Sequence, residues 1–238
     1  DGVDQKIWEK LNNSPNKPLL NRPLKGGYPP GSTYKPFMAL AALSSNVRKP
    51  DDKISDPGYF ILGNHKFRDS TKGGHGQVDL HKSIVVSSDT YYYKLALSMG
   101  VDLIHQHVSP FGFGKTTGID LNGEIPGILP SSKWKMEKHG KPWLQGETPS
   151  IGIGQGYNTF TILQMAKAAS IIANKGVIMK PRLFRGSQNQ QTQEFELAKP
   201  VVQGTIKIDK DYFEIVTKAM VEVNKIGTGS RVLGNTSY

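Results

Sequence analysis

The sequence contains no cysteine and no long run of apolar residues. Without cysteine the chain can form neither disulfide bonds nor thiolate zinc sites, although this absence does not fix the cellular compartment. A transmembrane helix needs about 20 predominantly apolar residues, and no stretch approaches that length. The first residues also lack the pattern of a secretory signal peptide. No membrane-spanning helix is therefore predicted within these residues.

Acidic residues are in the minority, since 30 lysines and arginines face 20 aspartates and glutamates, for a net charge of +10. Such a charge can indicate nucleic-acid binding. Here the basic residues are spread along the chain, and the local cluster at 133–141 contains acids and resembles no nucleic-acid-binding module. The pattern favours a solvated basic surface that faces an anionic polymer or a membrane surface, and we expect no nucleic-acid partner.

Glycine and proline are abundant, with 26 and 15 among 238 residues, so many turns are expected. The length suits one large domain or two small ones. The apolar periodicity predicts helices near 6–11, 80–99, 101–108, 159–174 and 209–226. It predicts strands at 59–62, 66–68, 177–183 and 201–208, with a polar loop at 185–199 and an open loop at 227–238.

A serine followed three residues later by a lysine occurs three times, at Ser14, Ser32 and Ser132. Only Ser32 follows a rigid Pro-Pro-Gly turn and precedes an apolar run, at 37–43, that predicts a buried helix. Residues three apart on a helix share a face, so the Lys35 amine can approach the Ser32 hydroxyl. A lysine shielded from water can activate a serine nucleophile. On this motif alone, a helix-capping serine beside a surface lysine is an equally good interpretation.

Two further stretches depart from simple packing patterns. Ser87, Ser88 and Asp89 interrupt an otherwise apolar helical pattern, and such local inconsistency is typical of functional positions. The segment 150–156 alternates small and apolar residues, which indicates that another part of the chain or a ligand passes close to its backbone. The glycine-rich segment 112–118 lacks the spacing of a phosphate-binding loop, so it does not predict nucleotide binding.

Four motifs together resemble a known family. They are Tyr28-Pro-Pro-Gly-Ser-Thr-Tyr-Lys-Pro-Phe37, Ser87-Ser-Asp-Thr-Tyr91, Phe111-Gly-Phe-Gly-Lys-Thr-Thr-Gly-Ile-Asp-Leu121 and Gly152-Ile-Gly-Gln-Gly156. In this order, from about residue 17 to 183, they resemble the transpeptidase domain of class B penicillin-binding proteins of the elongation, or rod-shape, type. The resemblance implies an α+β fold of the penicillin-binding-protein and serine β-lactamase kind. Within it, this chain would be a mostly helical part that lacks some strands of the antiparallel sheet.

The resemblance also implies a mechanism. Ser32 is the implied nucleophile of a serine D,D-transpeptidase, Lys35 its base, Ser87 the proton donor to the leaving group, and Asp89 the residue that orients Ser87 and Lys35. No cofactor is required for this chemistry. The implied partners are peptidoglycan stem peptides, β-lactams and a glycan-polymerising protein of the elongation complex. The implied location is the periplasmic face of the bacterial inner membrane, with contact to the membrane only through an N-terminal anchor.

The sequence departs from the family pattern at two places. The third motif, Lys-[Thr/Ser]-Gly, is absent, because Lys115-Thr-Thr-Gly118 has an extra residue and lies too early in the chain. We therefore expect residues 1–238 to be a partial transpeptidase domain, with the third motif after Tyr238 and the anchor and a non-catalytic module before Asp1. The second departure is Asp89, where many relatives carry asparagine. A charged Asp89 near Lys35 would raise the pKa of the lysine and oppose its role as a base.

A metal site and two other functions remain open. Asp56, Asp69 and His75 are suitable ligand types for a structural zinc ion, with Ser88 as a poor fourth ligand, although these residues are equally suited to turns and surfaces. The first alternative function is a β-lactam sensor or scaffold without turnover. The second is a serine β-lactamase, which needs a deacylating base that the sequence does not reveal.

Overall fold

The computed structural model describes residues 2–233 of the chain. The helices are α1 (Gln5–Asn12), α2 (Arg22–Lys25), α3 (Lys35–Ser44), α4 (Leu80–Val85), α5 (Asp89–Val108), α6 (Ser132–His139), α7 (Thr148–Gly152), α8 (Ile162–Ala173), α9 (Lys210–Lys225) and α10 (Ser230–Leu233). The strands are β1 (Ile54–Asp56), β2 (Tyr59–Leu62), β3 (His65–Arg68), β4 (Gly76–Val78), β5 (Val177–Met179), β6 (Gly186–Gln188), β7 (Phe195–Leu197) and β8 (Val202–Thr205). Within these residues, no helix is both long enough and apolar enough to span a bilayer.

Helix α3 lies at the centre of the molecule, as its apolar sequence predicts. Every residue from Lys35 to Leu43 is buried, and α5, α4 and α9 pack around this helix. Aromatic side chains extend the core on one side, where the rings of Phe37 and Phe113 meet edge to face with centroids 5.0 Å apart. Burial of this size supplies most of the free energy of folding, so α3 can hold its first residues in a fixed position.

The strands form four two-stranded antiparallel sheets within the described residues: β1 with β4, β2 with β3, β5 with β8, and β6 with β7. The β2–β3 hairpin pairs Tyr59 with Arg68 and turns at residues 63–64, which confirms the predicted strands at 59–62 and 66–68. Helix α8 begins at a capping box in which Thr161 and Gln164 bond to each other's backbone N–H groups. Asp209 caps α9 by accepting from the Asp211 N–H, so the helix predicted at 209–226 is confirmed.

The single helix predicted at 80–99 is wrong, because the chain breaks it between α4 and α5. Ser87 adopts a left-handed conformation with φ +56°, which no residue inside a right-handed helix can have. The Ser88 hydroxyl then caps the new helix by accepting from the Tyr91 N–H at 3.1 Å. The predicted helix end at Gly100 and the separate helix predicted at 101–108 are confirmed, because Gly100 has a non-helical backbone, with φ +72°, that divides α5 at a kink.

Three other predictions need correction. The polar segment 185–199 is not a loop but carries the hairpin β6–β7, with Gly186 paired to Leu197. The strands predicted at 177–183 and 201–208 shorten to β5 and β8, which pair with a register shift at Met179. The predicted open loop at 227–238 contains α10, and its last residues, 234–238, lie outside the described part of the chain.

Candidate active site

Ser32 lies in a tight turn that leads directly into α3. Residues Gly31–Tyr34 form one turn of 3-10 helix, and the Lys35 backbone N–H donates to the Ser32 carbonyl. This shorter bond satisfies the carbonyl that Pro36, which has no N–H, cannot reach. The turn is held from the other side, where the Gly31 N–H donates to the Gly154 carbonyl at 3.0 Å. The backbone at Ser32 is therefore fixed on both sides.

The Lys35 side chain is enclosed and fully hydrogen-bonded, with only 2 % of its side-chain surface exposed. Its Nζ lies 2.6 Å from Asp89 Oδ1, 3.0 Å from Ser87 Oγ and 2.7 Å from the Ser87 carbonyl oxygen. A charged ammonium has three N–H donors, and these three acceptors match them. The structure thus brings Lys35 of the first motif together with Ser87 and Asp89 of the second motif, as expected if the two motifs form one site.

The left-handed backbone of Ser87 is what allows this arrangement. It directs the carbonyl and the hydroxyl of one residue at the same amine. For a residue other than glycine this conformation costs about 1 kcal/mol, and such strain is typical of functional sites. The surrounding bonds, including the Ser88 N–H to the Ser83 carbonyl at 3.0 Å, hold it in place.

Burial lowers the pKa of Lys35 below its ordinary value, and the neighbouring Asp89 carboxylate only partly opposes this effect. A neutral lysine keeps two N–H donors, which suffice for Asp89 and the Ser87 carbonyl. Its lone pair is then free to accept a proton from a serine hydroxyl. The concern that Asp89 would prevent Lys35 from acting as a base is therefore outweighed by burial.

Ser32, Lys35 and Ser87 line one cleft of about 500 Å³. The other lining residues are polar (Thr33, Asn224 and Thr228) or apolar (Pro36, Phe37, Ile84, Met165, Ala169, Met220 and Val223). Within residues 2–233, no hydrogen bond joins the Ser32 hydroxyl to Lys35. Ser32 and Lys35 therefore line the same cleft without a hydrogen bond between their side chains. The hydroxyl that Lys35 contacts is that of Ser87.

The two other Ser-x-x-Lys pairs have structural roles. Ser14 is part of a turn and donates its backbone N–H to Leu11. The Ser132 hydroxyl bonds to Asp102, whereas Lys135 is buried and paired with Glu147, so these two residues of the motif use different partners. Lys115 of the sequence Lys115-Thr-Thr-Gly118 does not line the cleft, which agrees with the conclusion that it is not the third motif.

Several cleft residues could not be found from the sequence. Met165 lies on α8 and Met220, Asn224 and Thr228 lie on or just after α9, more than a hundred residues after Ser32. The helices themselves were predicted, but the face that each one turns towards Ser32 depends on tertiary packing. The Thr228 N–H approaches the Val85 carbonyl at 3.4 Å, which is how the end of α9 reaches the Ser87 turn.

The three candidate metal ligands lie together beside this site. Asp56, Asp69 and His75 each offer one ligand atom, and these atoms lie within 4.8 Å of one another. His75 Nδ1 is 2.9 Å from Asp56 Oδ2, which also accepts from the Ser88 hydroxyl at 2.7 Å. Burial raises the pKa of Asp56, but bonds from the Gly58 N–H, His75 and Ser88 together outweigh it and lower the pKa.

The same cluster supports the second motif. Asp69 accepts from the Thr90 N–H at 2.7 Å, and Asp56 holds Ser88, so both carboxylates bind the first turn of α5. A negative charge at this end is also favoured by the helix dipole. Because Ser87 and Asp89 flank the capping residue Ser88, the cluster fixes their position relative to Lys35.

A serine and a buried lysine of lowered pKa at one cleft form the arrangement by which serine acyl-transfer enzymes activate their nucleophile. Comparison with known proteins agrees with this class. The description "Penicillin binding protein transpeptidase domain" applies to residues 6–236, and the chain belongs to that family. The predicted α+β transpeptidase fold is thereby confirmed.

Curated relatives indicate which members of this family the chain resembles. The chain is 40 % identical to the peptidoglycan D,D-transpeptidase MrdA of Haemophilus influenzae and 38 % identical to that of Escherichia coli, each over 100 % of the chain. It spans only 37 % and 38 % of the length of these two relatives. The predicted resemblance to elongation-type enzymes is confirmed.

Solved structures show the same similarity in three dimensions. The Pseudomonas aeruginosa PBP2 structure in complex with WCK 5153 superposes with a TM-score of 0.88 at 37 % identity, covering 100 % of this chain and 54 % of that one. The complex of PBP2 and MreC from Helicobacter pylori gives 0.84 at 30 % identity, covering 97 % of this chain and 41 % of that one.

Proposed function

We propose that this chain carries part of the catalytic domain of a serine D,D-transpeptidase that cross-links peptidoglycan during cell elongation. One observation carries the proposal: Lys35 Nζ is held between Ser87 and Asp89 at a cleft that Ser32 also lines. The relatives' description as peptidoglycan D,D-transpeptidases supports the substrate class. The roles of Ser32, Lys35, Ser87 and Asp89 stay predictions.

The proposed reaction proceeds through an acyl-enzyme. Ser32 Oγ attacks the carbonyl carbon between the two terminal D-alanines of a stem peptide while neutral Lys35 takes its proton. The C–N bond breaks, and Ser87 passes a proton to the nitrogen of the leaving D-alanine. An amine of a neighbouring stem then attacks the ester, forms the new amide and releases Ser32. Attack by water instead would give the carboxypeptidase reaction, a hydrolysis.

The developing oxyanion needs donors positioned before the reaction. The backbone N–H of Ser32 is our candidate for one of them, because the turn Gly31–Tyr34 holds that peptide unit in a fixed position. We expect the second donor from the Lys-[Thr/Ser]-Gly strand, which the family places beyond Tyr238. On this proposal residues 1–238 are a partial domain, and sequencing the region that follows tests for the motif.

The intact mass of the protein after exposure to a penicillin tests the proposed function. A β-lactam mimics the D-alanyl-D-alanine terminus, so we expect a stable adduct that is absent from the Ser32→Ala variant. Rapid loss of the adduct would indicate the β-lactamase. The relatives' description as peptidoglycan D,D-transpeptidases supports the transpeptidase over that alternative. The absence of any adduct on the complete domain would refute the proposal.

Turnover distinguishes a transpeptidase from the other alternative, a β-lactam sensor or scaffold. A transpeptidase releases one D-alanine for each cross-link, whereas a sensor forms the adduct and releases none. Incubating the complete domain with a stem pentapeptide and an amine acceptor, and quantifying free D-alanine, separates the two. No release, together with a stable penicillin adduct, would favour the sensor.

We also propose that the full-length protein works at the periplasmic face of the inner membrane with a glycan-polymerising partner. In support, one similar structure is described as a peptidoglycan synthase complex that coordinates polymerization and crosslinking, with a TM-score of 0.87 at 26 % identity. Cross-linking of the full-length protein in intact cells, followed by mass spectrometry, tests the partnership. Recovery from the cytoplasmic fraction would contradict the location.

Asp56, Asp69 and His75 are proposed to hold a structural zinc ion. Two carboxylates and an imidazole are ligands that zinc accepts, and the buried Asp56, with its lowered pKa, remains anionic. A neutral Ser88 hydroxyl is a poor fourth ligand, so the site would need water to complete it. Bound zinc would join the end of β1 to the segment between β3 and β4.

Metal analysis of the purified protein tests this site. We expect one zinc per chain, removed by a chelator and absent from an Asp69→Asn variant, with loss of thermal stability on chelation. A protein without zinc whose stability is insensitive to chelators would show that the hydrogen bonds among these residues suffice on their own.

A further inference from the structure

The β2–β3 hairpin has two faces of different character, because side chains alternate along each strand. Phe60 and Phe67 face inward and pack against the core. Tyr59, Lys66 and Arg68 belong to the outer face, with Tyr59 directly opposite Arg68 in the register. Packing against the core constrains only the inward-facing residues of the hairpin. The residues of the outer face can therefore have another function.

The outer face borders a depression of about 390 Å³. Its lining includes Tyr59, Lys66 and Arg68 from the hairpin and Lys72 from the loop that follows it. All four residues are exposed to solvent, and Lys66 Nζ stands 3.8 Å from the centroid of the Tyr59 ring. We call these four residues the hairpin cationic face.

The three cations of this face have no acidic partner within residues 2–233. The salt bridges and side-chain hydrogen bonds of that part of the chain include none from Lys66, Arg68 or Lys72. By contrast, Lys35, Lys135 and Lys175 all pair with carboxylates. Three unpaired cations around one concavity make a positive potential that attracts an anion.

One carboxylate, Asp69, also borders the depression, but its charge is directed inward. Its side chain is fully buried and accepts from the Thr90 N–H at 2.7 Å, the Thr71 N–H at 3.2 Å and the Ser70 hydroxyl at 3.3 Å. These neutral donors stabilise the anion and hold it in place, although they do not cancel its charge. Because three cations and one carboxylate line the depression, its charge is still positive.

The hairpin is fixed firmly to the catalytic end of α5. The Arg68 carbonyl accepts from the Tyr93 hydroxyl at 3.1 Å, and Asp69 binds the N–H of Thr90, the residue after Asp89. An anionic chain bound on this face would thus be held by a rigid support at the end of α5 that carries Asp89.

We propose that the hairpin cationic face binds a second peptidoglycan strand, with stem-peptide carboxylates on Lys66, Arg68 and Lys72, while the Tyr59 ring holds the Lys66 ammonium in place. The inference rests on the proposed function, because a cross-linking enzyme must bring two strands together. Three cations around one depression suit a ligand that carries several carboxylates, as a chain of stem peptides does. The concavity fits a single polymer chain, and because Ile61 on the same face is exposed, binding to a lipid surface is measured as well.

Binding is measured on the full chain after penicillin has blocked Ser32, so that the catalytic cleft does not contribute. The probe is soluble, uncross-linked peptidoglycan strands with intact stem peptides, titrated by calorimetry. We compare the triple variant Lys66→Gln, Arg68→Gln, Lys72→Gln with a control that removes three other exposed lysines, Lys138→Gln, Lys141→Gln, Lys207→Gln. The penicillin adduct, verified by mass, shows that each variant is folded.

We expect the triple variant to bind strands about tenfold more weakly, since each exposed ion pair contributes modestly. The control should change less than about twofold, and strands with amidated carboxylates should bind as weakly as the triple variant does. Equal weakening in both triple variants would overturn the proposal, because it would show a general charge effect. A matching loss of binding to phosphatidylglycerol vesicles would instead assign the face to a membrane surface.

The proposed function and this inference fail in different ways. If no penicillin adduct forms on the complete domain, the proposed function is refuted. If the adduct forms but strand affinity does not depend on the hairpin cationic face, only the present inference is refuted.

Discussion

At the scale of single residues, the decisive feature is the balance at Lys35. Burial favours the neutral amine, which a base must be, whereas the Asp89 carboxylate 2.6 Å away favours the charged form. The net result is a lowered pKa, so the fraction of Lys35 that can accept a proton at neutral pH exceeds that of a surface lysine. Asp89 both positions the amine and limits how far its pKa falls.

Replacing Asp89 tests this balance. Asp89→Asn removes the charge that raises the pKa of Lys35 but keeps an oxygen that can accept from it. On the proposed mechanism, acylation by penicillin needs the neutral amine and therefore increases as pH rises through the Lys35 pKa. We expect the rising limb of the rate–pH profile to move to lower pH in the variant. The exposed, charge-matched Glu137→Gln should leave the profile unchanged, and an upward shift in Asp89→Asn would contradict the account.

A second pair of residues, Lys135 and Glu147, stabilises the surrounding part of the fold. Lys135 has only 5 % of its side-chain surface exposed, pairs with Glu147, and lies 5.5 Å from the centroid of the Trp143 ring. Burial raises the pKa of Glu147, but bonds from Lys135, the Leu144 N–H and Tyr157 outweigh it and lower the pKa. The carboxylate is therefore retained as an anion, which the buried ammonium requires.

Glu147→Gln should destabilise the fold by about 3 kcal/mol at neutral pH, because it leaves a buried ammonium without its counter-charge. Since the folded-state pKa of Glu147 is lowered, the contribution of its charge is present above the unfolded-state value and is lost as pH falls through the folded one. The difference in unfolding free energy between wild type and variant should therefore disappear at acidic pH. Urea unfolding at several pH values measures it, and exposed Glu137→Gln should have no measurable effect at any of them.

At the scale of elements, the start of α5 is the most heavily supported segment of the site. The Ser88 hydroxyl accepts from the Tyr91 N–H and donates to buried Asp56, while Asp69 accepts from the Thr90 N–H. This cap explains why α4 and α5 are separate helices although their sequence reads as one. The break between them places Ser87 at Lys35.

Ser88→Ala should therefore cost about 2 kcal/mol, combining the loss of a helix cap with a lost bond to a buried carboxylate. Acylation of Ser32 should slow as well, because Ser87 is the adjacent residue. The matched control is Ser170→Ala inside α8, where alanine is the better helix former and stability should not fall. Equal stability of Ser88→Ala and wild type in thermal unfolding would contradict the proposed role of the cap.

At the scale of the whole molecule, the site depends on chain segments that are far apart in sequence. The Ser32 turn is held by Gly154, whose φ is +71° and where an added Cβ would lie 2.4 Å from the Gly31 carbonyl oxygen. Contact this close leaves no room for any side chain. The close approach predicted at 150–156 is thus observed, and the segment that approaches is the turn that contains Ser32.

Gly154→Ala should lower stability by about 2 kcal/mol or more, from the left-handed backbone and the clash together. It should also slow penicillin acylation by displacing the backbone of Ser32. Gly146→Ala is the matched control, because an added Cβ there meets nothing within 4 Å. Thermal unfolding and acylation rates check both variants, and normal acylation in Gly154→Ala would show that this contact does not position Ser32.

The sequence alone determined the two motifs, the buried helix after Ser32, the β2–β3 hairpin and the close approach at 150–156. Each of these depends on local signals: a Pro-Pro-Gly turn, an apolar run, a two-residue turn and a row of small residues. The structure alone decided the break at Ser87, the hairpin at 185–199 and the cleft wall from Met165 and Met220. The break and the cleft depend on partners distant in the chain: Lys35 binds Ser87, while Asp56 and Asp69 hold the neighbouring Ser88 and Thr90. The hairpin at 185–199 is a local pairing, but its polar sequence lacks the apolar alternation that predicts strands.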